Sequence, residues 1–463
     1  MKRRLLSMII SAALILSLSA CSSYSSSDTN NEQKQEDSSS KLTVLNCLYN
    51  SMEQEIAEFA TNHPDIKVKE EIYENETTRE INKQTFTKVL AGEGPDVFIM
   101  EVRDFPNIHK MFQSELFYDL NTLIKEDKSF KMEEYNKVVM DSGIIEGKRY
   151  VVPLSFDTSS ICTTKSFLSK NGINIPEEGV SWTELSNIVK KFMGDDKNKD
   201  KYLFNLSFNF EELICSSYMK FIDFTKKESN FDSEEFISLL NIFKDIQTAV
   251  CPTEVATKSD AVNLMKKGTS GVGIWSTDLE FGQILNSFYE QYLGEEVYMI
   301  ACPADKQSAG ITARVKLIAG INANCKKPKE AFEFLKLLLS KDNQIPYLDI
   351  SPYKSIPINI EAYKEELKYR RTEESIHTNV CKVFKMYNGG PTPDEYDLVL
   401  SPLSKEMCTQ SDRFYNGITK AVINDYNVLP ILSEETKAFL SGKSTAEQTA
   451  KVINDKVMLY LNE

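Results

Sequence analysis

The beginning of the chain alternates between strand-like and helix-like patterns, and this alternation limits the folds open to it. Leu42–Cys47 is an apolar, β-branched run of strand length, and a helical pattern starts at about Ser51. Residues 66–72 alternate like a half-buried strand, a second helical pattern ends at Gly92, and residues 95–100 form a buried, strand-like run. Strand, helix, strand, helix and strand in close succession predict a parallel sheet with helices on its faces.

The rest of the chain adds short strands and a helical end. Five further strands are predicted by apolar runs at residues 148–153, 160–164, 272–275, 297–301 and 315–319. Between and after these runs the pattern is helical, and the last part of the chain, from about residue 364, is predicted to be almost wholly helical.

Several helix starts carry the capping pattern, in which a hydroxyl residue is followed three positions later by Glu or Gln. These pairs are Ser51 with Gln54, Thr77 with Glu80, Ser181 with Glu184, and Ser444 with Glu447. The third pair is expected to begin a helix that runs to about Phe192, and the fourth is expected to cap the last helix.

Length and charge restrict the class of protein. The chain has 463 residues, and the part after residue 40 exceeds what one hydrophobic core usually supports, so two lobes or one large two-layered unit are expected. Apolar residues make up 41% and charged residues 26%, as in an ordinary soluble protein. A formal net charge of -14 argues against nucleic acid as a partner, because that partner requires a basic surface.

The first forty residues indicate export and anchoring. Residues 2–4 are cationic, residues 5–18 are mostly apolar, and this run is too short to span a membrane, so a signal peptide over 1–20 is expected. The sequence Leu-Ser-Ala-Cys ending at Cys21 resembles the bacterial lipobox, which implies lipid attachment to Cys21 at the extracellular face of the cell membrane. An ordinary secretory signal that ends in Cys is the alternative. Residues 22–40 are polar and predict a disordered tether.

The other cysteines do not form a recognisable metal or disulfide pattern. Eight follow Cys21 at wide, irregular spacing without a C-x-x-C pair, so they are interpreted as small buried hydrophobic residues. The three histidines, His63, His109 and His377, lie far from cysteine pairs and from one another. Neither a metal ion nor a cofactor is therefore expected.

Eight segments of the chain, taken in order, form one recognisable pattern. They are EFATNHPDIKV (58–68), VLAGEGPDVFIM (89–100), LFYDLNTLI (116–124), GKRYVVPLSFD (147–157), SWTELSNIVKKF (181–192), GTSGVGIW (268–275), VKLIAGINANCKKPKEAFEFLKLLL (315–339) and the last helix. Together they resemble the bacterial extracellular solute-binding proteins for sugars, the group that includes maltose-binding protein. The resemblance implies an α/β fold of the two-lobe periplasmic-binding-protein type (type II), with hinged lobes, crossing strands and a helical C-terminus.

The resemblance also implies a domain division and partners. Lobe one would comprise residues 41–152 and 315–352, and lobe two residues 153–314 and 353–463. A small-molecule solute would bind between the lobes, and the protein would deliver it to ABC permease subunits as a monomer. No catalytic residue is implied. The cargo expected is a carbohydrate, with a peptide, polyamine or other small solute, or a role as a surface sensor or adhesin, as alternatives.

Sugar recognition requires aromatic faces for the ring and polar groups for its hydroxyls. Candidate ligand-binding residues on this basis and on the resemblance are Tyr49, Asn50, Glu101, Arg103, Asp104, Asp157, Trp275 and Tyr353. Asp157 matches a carboxylate that binds sugar in the family, although a hinge carboxylate is the alternative, and Trp275 is either a cleft residue or a core residue. Replacing Asp157 or Trp275 with Ala is expected to weaken binding with little loss of folding.

Some residues depart from the family pattern or mimic catalytic motifs. Met100 stands where the family has an aromatic residue, and Thr163-Thr164-Lys165 replaces the usual Tyr-Asn-Lys, so the cargo is expected to differ from maltose-like sugars. Trp182, at a helix start, is expected in the core. Gly442-Lys443-Ser444 resembles the end of a phosphate-binding loop, but position 437 is Lys rather than Gly. The protein is therefore not expected to be an enzyme.

Overall fold

The computed structural model describes residues 41–47, 51–71, 78–105, 107–205, 217–252, 261–306, 309–345, 355–376, 381–387 and 390–463. Cys21, Tyr49, Asn50, Thr77 and Tyr353, for which the sequence makes predictions, lie outside these residues. For Trp275 the backbone alone is described.

The strands of the described residues are mostly short. In chain order they are β1 (Lys41–Asn46), β2 (Lys67–Glu71), β3 (Val97–Glu101), β4 (Ile144–Ile145), β5 (Lys148–Arg149), β6 (Val151–Asp157), β7 (Ser159–Thr163), β8 (Ile222–Asp223), β9 (Glu228–Ser229), β10 (Gly273–Ser276), β11 (Tyr298–Ala301), β12 (Ile311–Ile321), β13 (Ile356–Pro357), β14 (Cys381–Tyr387), β15 (Gly390–Leu398) and β16 (Ile418–Val422). Every strand predicted from an apolar run is found within a few residues of its expected position.

The helices lie between the strands and dominate the end of the chain. They are α1 (Glu53–Asn62), α2 (Thr78–Leu90), α3 (Ile108–Gln113), α4 (Leu120–Glu126), α5 (Lys137–Asp141), α6 (Lys165–Lys170), α7 (Trp182–Met193), α8 (Glu234–Gln247), α9 (Ala261–Lys266), α10 (Leu279–Leu293), α11 (Pro328–Leu338), α12 (Lys341–Gln344), α13 (Ile360–Tyr369), α14 (Lys405–Asn416), α15 (Val428–Leu440) and α16 (Ala446–Asn462).

The larger sheet has the strand order β13-β6-β12-β3-β1-β2, with β16 paired to β12. The first three strands pair in parallel, β1 with β2 and β1 with β3, as their alternation with helices predicted. The long strand β12 runs antiparallel to both β3 and β6, so the sheet as a whole is mixed. A smaller antiparallel sheet has the order β10-β7-β11.

The buried apolar residues form two large hydrophobic clusters, and the smaller sheet contributes to both, since its Cys162 and Met299 belong to the first. One cluster surrounds the larger sheet and includes Val44, Ile99 and Ile318, and a second includes Ile161, Ile274 and Ile300 of the smaller sheet. The inward faces of α7 and α16 belong to the second cluster. Two cores in one chain of this length agree with the surface-to-volume argument for two lobes. The residue boundaries expected for the lobes stay a prediction.

Helix α7 shows how the local sequence specifies an element. The Ser181 hydroxyl accepts from the Glu184 backbone N–H, and the Glu184 carboxylate accepts from the Ser181 N–H, so the predicted capping box is confirmed. The apolar residues of the helix recur at helical spacing and are buried. Trp182 is 4% exposed and packs edge-on against Phe243, so its expected place in the core is confirmed.

Two of the other predicted caps are wrong. Helix α1 begins after Met52 without a side-chain cap, because the Ser51 hydroxyl donates to Glu70 of β2 instead. Helix α16 is capped one residue later than expected, by Thr445, whose partner is Gln448. The Ser444 hydroxyl is engaged with Thr449.

The prediction that the last part of the chain is almost wholly helical is also wrong. The hairpin of β14 and β15 and the strand β16 interrupt the helices. Strand β16 joins the larger sheet because its Ile418 and Val422 are buried against that core region, in a pairing with β12 that links residues about a hundred positions apart.

The six cysteines whose side chains the structure describes are thiols. Cys162, Cys251 and Cys408 are buried, as the interpretation as small hydrophobic residues requires, whereas Cys47, Cys302 and Cys325 are half-buried. Within the described part of the chain, no helix is long and apolar enough to cross a membrane.

Candidate functional site

Three strands of the larger sheet end at the same edge. Strand β1 is parallel to β3, and both β3 and β6 are antiparallel to β12, so β1, β3 and β6 point the same way. Asn46, Glu101 and Asp157 are their last residues. The carboxyl ends of such strands are where open α/β sheets bind ligands. The predicted ligand-binding residues Glu101, Arg103, Asp104 and Asp157 therefore lie at one edge of the sheet, which we call the polar edge.

Asp157 is held at this edge by two cations of β12. Arg314 lies opposite it in the strand register, and the Arg314 Nε donates to Asp157 Oδ1 at 2.7 Å. The Lys316 Nζ lies 3.5 Å from the other oxygen, Oδ2. The Arg314 and Asp157 side chains are 15% and 12% exposed, whereas that of Lys316 is 41% exposed. The Asp157 carboxylate is therefore nearly buried and fixed through Oδ1, while the Lys316 side chain beside Oδ2 is exposed to solvent.

The ladder between β12 and β6 contains two β-bulges next to this ion pair. Val315 pairs with Phe156 and Leu317 with Ser155, so Lys316 is an extra residue on β12. On β6, Leu154 is the unpaired residue, because Leu317 pairs with Ser155 and Ile318 with Pro153. Beyond Leu154 the two strands pair in the same register as before the bulges. Bulges redirect side chains and occur often beside functional sites. Here they place Lys316 within reach of Asp157.

Glu101, Arg103 and Asp104 form the second part of the polar edge. The Glu101 carboxylate and the Arg103 Nε are 2.5 Å apart in a pair whose side chains are 24% and 52% exposed. Burial raises the pKa of Asp104, and the neighbouring charge of Glu101 raises it further, while Arg103 opposes both effects. Burial and the Asp104 charge together raise the pKa of the Cys47 thiol to about 12. Cys47 and Asp104 thus lie close together beyond β1 and β3.

The smaller sheet brings a third segment to Asp157. Strand β7 begins two residues after Asp157, and in its register Trp275 of β10 lies opposite Ser160. The Thr277 N–H donates to the Thr158 carbonyl at 3.1 Å. Asp278 then caps α10 by accepting from the Phe281 N–H. The strand position of Trp275 is thus near the polar edge, and its role as a ligand contact stays a prediction.

The pKa of the half-buried Asp278 carboxyl is shifted by its surroundings. Burial raises its pKa, and the charges of Glu280 and Asp157 act in the same direction. Hydrogen bonds from the Phe281 N–H and the Ser276 hydroxyl oppose the shift. Asp157 and Asp278 are therefore electrostatically coupled across the two sheets.

Sequence reasoning missed the two cations of β12 and the threonine pair Thr158 and Thr277, whose hydroxyls contact each other. Thr312, Arg314 and Lys316 alternate with buried Ala313 and Val315. This alternation of charged and apolar residues in a predicted crossing strand was a usable signal. The sequence does not show which carboxylate pairs with these cations, because Asp157 is 157 positions away from Arg314.

Two cavities lie outside the polar edge. One, of about 430 Å³, is lined by His109 and Ile145 on one side and by residues 219–226, 228 and 230 on the other. Another, of about 760 Å³, runs along α15 between Tyr426 and Lys443. None of the described residues predicted to bind ligand lines either cavity. In the part of the chain that the structure describes, no group of His, Cys, Asp and Glu side chains is arranged to hold a metal ion.

The sheet order, the two cores and the polar edge define the two-lobe fold of periplasmic binding proteins. The family model described as "Bacterial extracellular solute-binding protein" matches residues 48–345, and the chain belongs to that family. The family is one of binding proteins rather than enzymes. No curated protein matches the chain in sequence.

Solved structures similar in fold cover nearly the whole chain. The sugar-binding protein MalE from Xanthomonas citri has a TM-score of 0.62 at 14% identity, covering 91% of this chain and 97% of that one. A periplasmic oligogalacturonide binding protein from Yersinia enterocolitica has a TM-score of 0.62 at 16% identity, covering 91% and 99%. An ABC substrate-binding protein from Listeria monocytogenes in complex with cycloalternan has a TM-score of 0.55 at 15% identity, covering 91% and 99%.

Proposed function

We propose that the chain is the extracellular solute-binding lipoprotein of an ABC importer, that it captures a carbohydrate between its two lobes, and that it delivers the cargo to the permease. The observation that carries this proposal is the polar edge, where the ends of β1, β3 and β6 meet β12. In open α/β sheets, ligands bind at this position, beyond the carboxyl ends of the strands.

The chemistry of the polar edge suits a hydroxyl-rich solute. Carboxylates at 101, 104 and 157 accept hydrogen bonds from hydroxyl groups, and the cations at 103 and 316 donate to hydroxyl oxygens. Cations and carboxylates are present in equal number once Arg314 is counted, so the edge carries no excess charge.

The similar structures support a saccharide as cargo. The relatives from Yersinia enterocolitica and Listeria monocytogenes bind an oligogalacturonide and cycloalternan, both of which are oligosaccharides. Because their identity to this chain is 15% and 16%, they support the chemical class of the cargo and not its structure.

A thermal-shift screen tests the cargo. Purified protein that begins at Lys41 is heated with maltotetraose, cellotetraose, trigalacturonate, a tetrapeptide mixture and spermidine. A ligand that binds only the folded state raises the free energy of unfolding by about 2.7 kcal/mol when its concentration is a hundred times Kd. A raised Tm with a saccharide is expected. A shift with the peptides or spermidine alone would show that the carbohydrate assignment is wrong.

The anchor is tested separately in cells. The full-length protein is expected to take up radiolabelled palmitate and to sediment with membranes, because two acyl chains hold a protein at a bilayer stably. Cys21→Ser is expected to abolish both properties and release the protein. Membrane association of the Cys21→Ser variant equal to that of wild type would contradict the lipoprotein assignment.

A further inference from the structure

We infer that Lys316 contacts the solute and that, with Asp157, it forms a donor–acceptor pair for neighbouring hydroxyl groups of a saccharide. This inference rests on the proposed function and assigns to it a residue that the sequence alone does not single out.

The first reason is the way the backbone presents Lys316. Its neighbours Val315 and Leu317 are 2% and 5% exposed, so both flanking side chains are buried. The bulge inserts Lys316 between them as an unpaired residue, opposite none of the residues of β6. A long cationic side chain at a bulge in an otherwise buried stretch is directed outward.

The second reason is the difference between the two cations on Asp157. Arg314 holds Oδ1 at 2.7 Å and is largely buried, which is the geometry of a fixed structural pair. Lys316 lies 3.5 Å from Oδ2, beyond the usual range for an N–H···O bond, and is 41% exposed. Lys316 is therefore the exchangeable partner, since a solute can displace its contact with Asp157 without disturbing Arg314.

The third reason is chemical. The Asp157 Oδ2 accepts a hydrogen bond from one hydroxyl, and the Lys316 ammonium donates to the oxygen of the next. Two groups of opposite charge about 3.5 Å apart lie close enough together to bind two adjacent hydroxyls of one pyranose ring. Hydrogen bonds of this kind involve charged groups and are stronger than neutral ones. The ligand class is therefore a saccharide with a free pair of adjacent hydroxyls.

The experiment compares Lys316→Met, Lys316→Arg and the surface control Lys451→Met, whose side chain is 73% exposed on α16. Each is titrated calorimetrically with the saccharide that gives wild type the largest thermal shift among maltotetraose, cellotetraose and trigalacturonate. Lys316→Met is expected to raise Kd roughly tenfold or more, as loss of a charged hydrogen bond does. Lys316→Arg is expected to keep most of the affinity, and Lys451→Met all of it.

The Tm without ligand separates binding from folding. Lys316→Met is expected to retain the wild-type Tm within about 2 °C, because its contact with Asp157 is long and partly exposed. A Kd within twofold of wild type overturns the inference and leaves the proposed function standing. A large loss of Tm together with affinity makes Lys316 a structural residue and also overturns it. Failure of every saccharide to bind wild type removes the proposed function and this inference together.

Discussion

The ring of Phe224 lies flat on the imidazole of His109, with centroids 4.0 Å apart and planes inclined by 9°. His109 is in α3, and Phe224 follows β8, so the contact joins segments more than a hundred residues apart. The His109 Nε2 lies 2.8 Å from the Ile423 carbonyl, to which its N–H donates. Burial lowers the pKa of His109 to about 4, and the hydrogen bond to Ile423 opposes this shift.

This burial predicts an acid-sensitive fold. An unfolded histidine takes up a proton near pH 6.5, whereas folded His109 does so near pH 4. Between these values the unfolded state binds more protons, so the free energy of unfolding falls as pH falls from about 6.5 to 4. The full effect is on the order of 3 kcal/mol, and urea unfolding at pH 7.5, 6, 5 and 4.5 measures it.

Matched histidine variants isolate the contribution of His109. In His109→Gln, most of the decrease in the free energy of unfolding between pH 6.5 and 4.5 should disappear. The variant should also be less stable than wild type at pH 7.5. His63, which stacks on Phe59 but is partly exposed, is the control. His63→Gln should leave the pH dependence nearly unchanged. Equal pH profiles for His109→Gln and wild type would contradict the prediction.

The Asp157–Arg314 pair predicts strong coupling between two substitutions. Removing one partner leaves the other charge buried, so Asp157→Asn and Arg314→Met should each cost about 2–3 kcal/mol. The double variant should cost less than the sum, since neither charge remains uncompensated. Urea unfolding of the four proteins gives the coupling energy. The exposed pair Lys451 and Asp455 is the control and should show almost no coupling.

This pair changes an expectation drawn from the sequence. Replacement of Asp157 with Ala was expected to weaken binding with little loss of folding. Because Asp157 is buried against Arg314, the same substitution should also lower stability. Its effect on affinity must therefore be measured at a temperature where the variant is fully folded.

The two tryptophans allow a direct test of Trp275. Trp182 is 4% exposed in the second core, so Trp182→Phe is a conservative change that leaves Trp275 as the sole indole. Binding of a saccharide at the polar edge should alter the fluorescence of Trp182→Phe. The companion variant Trp275→Phe should respond much less. The reverse pattern would place Trp275 away from the solute.

The cap of α16 predicts a stability difference between two threonines. Thr445→Ala removes the side-chain cap and the reciprocal capping box, and should cost about 1 kcal/mol. Thr409→Ala, an identical change within α14 where the hydroxyl donates to the Lys405 carbonyl, should be neutral or slightly stabilising. Thermal unfolding measures both. A larger loss for Thr409→Ala than for Thr445→Ala would contradict the assigned cap.

Much of the fold was predictable because it is encoded locally. The apolar runs at 42–47, 95–100 and 315–319 are strands, and the parallel pairing of β1, β2 and β3 follows from the helices between them. The hairpin of β14 and β15 was missed because prolines at 391 and 393 interrupt the alternation that marks a strand. The cap of α16 was missed by one residue because Ser444 and Thr445 both fit the pattern.

The polar edge was predictable only in part. Glu101 and Asp157 follow strand patterns, so their place at the ends of β3 and β6 could be inferred from the sequence. Arg314 and Lys316 could not be assigned to Asp157, because that contact depends on the register of two distant strands. A single-residue bulge leaves no distinct mark in a run such as Val-Lys-Leu-Ile.

The paired bulges at Lys316 and Leu154 make β6 and β12 sensitive to the loss or gain of a single residue. Successive side chains of a strand point to opposite faces, so loss of one residue inverts every side chain beyond it. Deletion of Lys316 alone would remove its bulge and leave the bulge at Leu154 without its counterpart, and deletion of Leu154 alone would do the reverse. Removing both would restore the phase. Insertions and deletions here are therefore tolerated only as matched pairs.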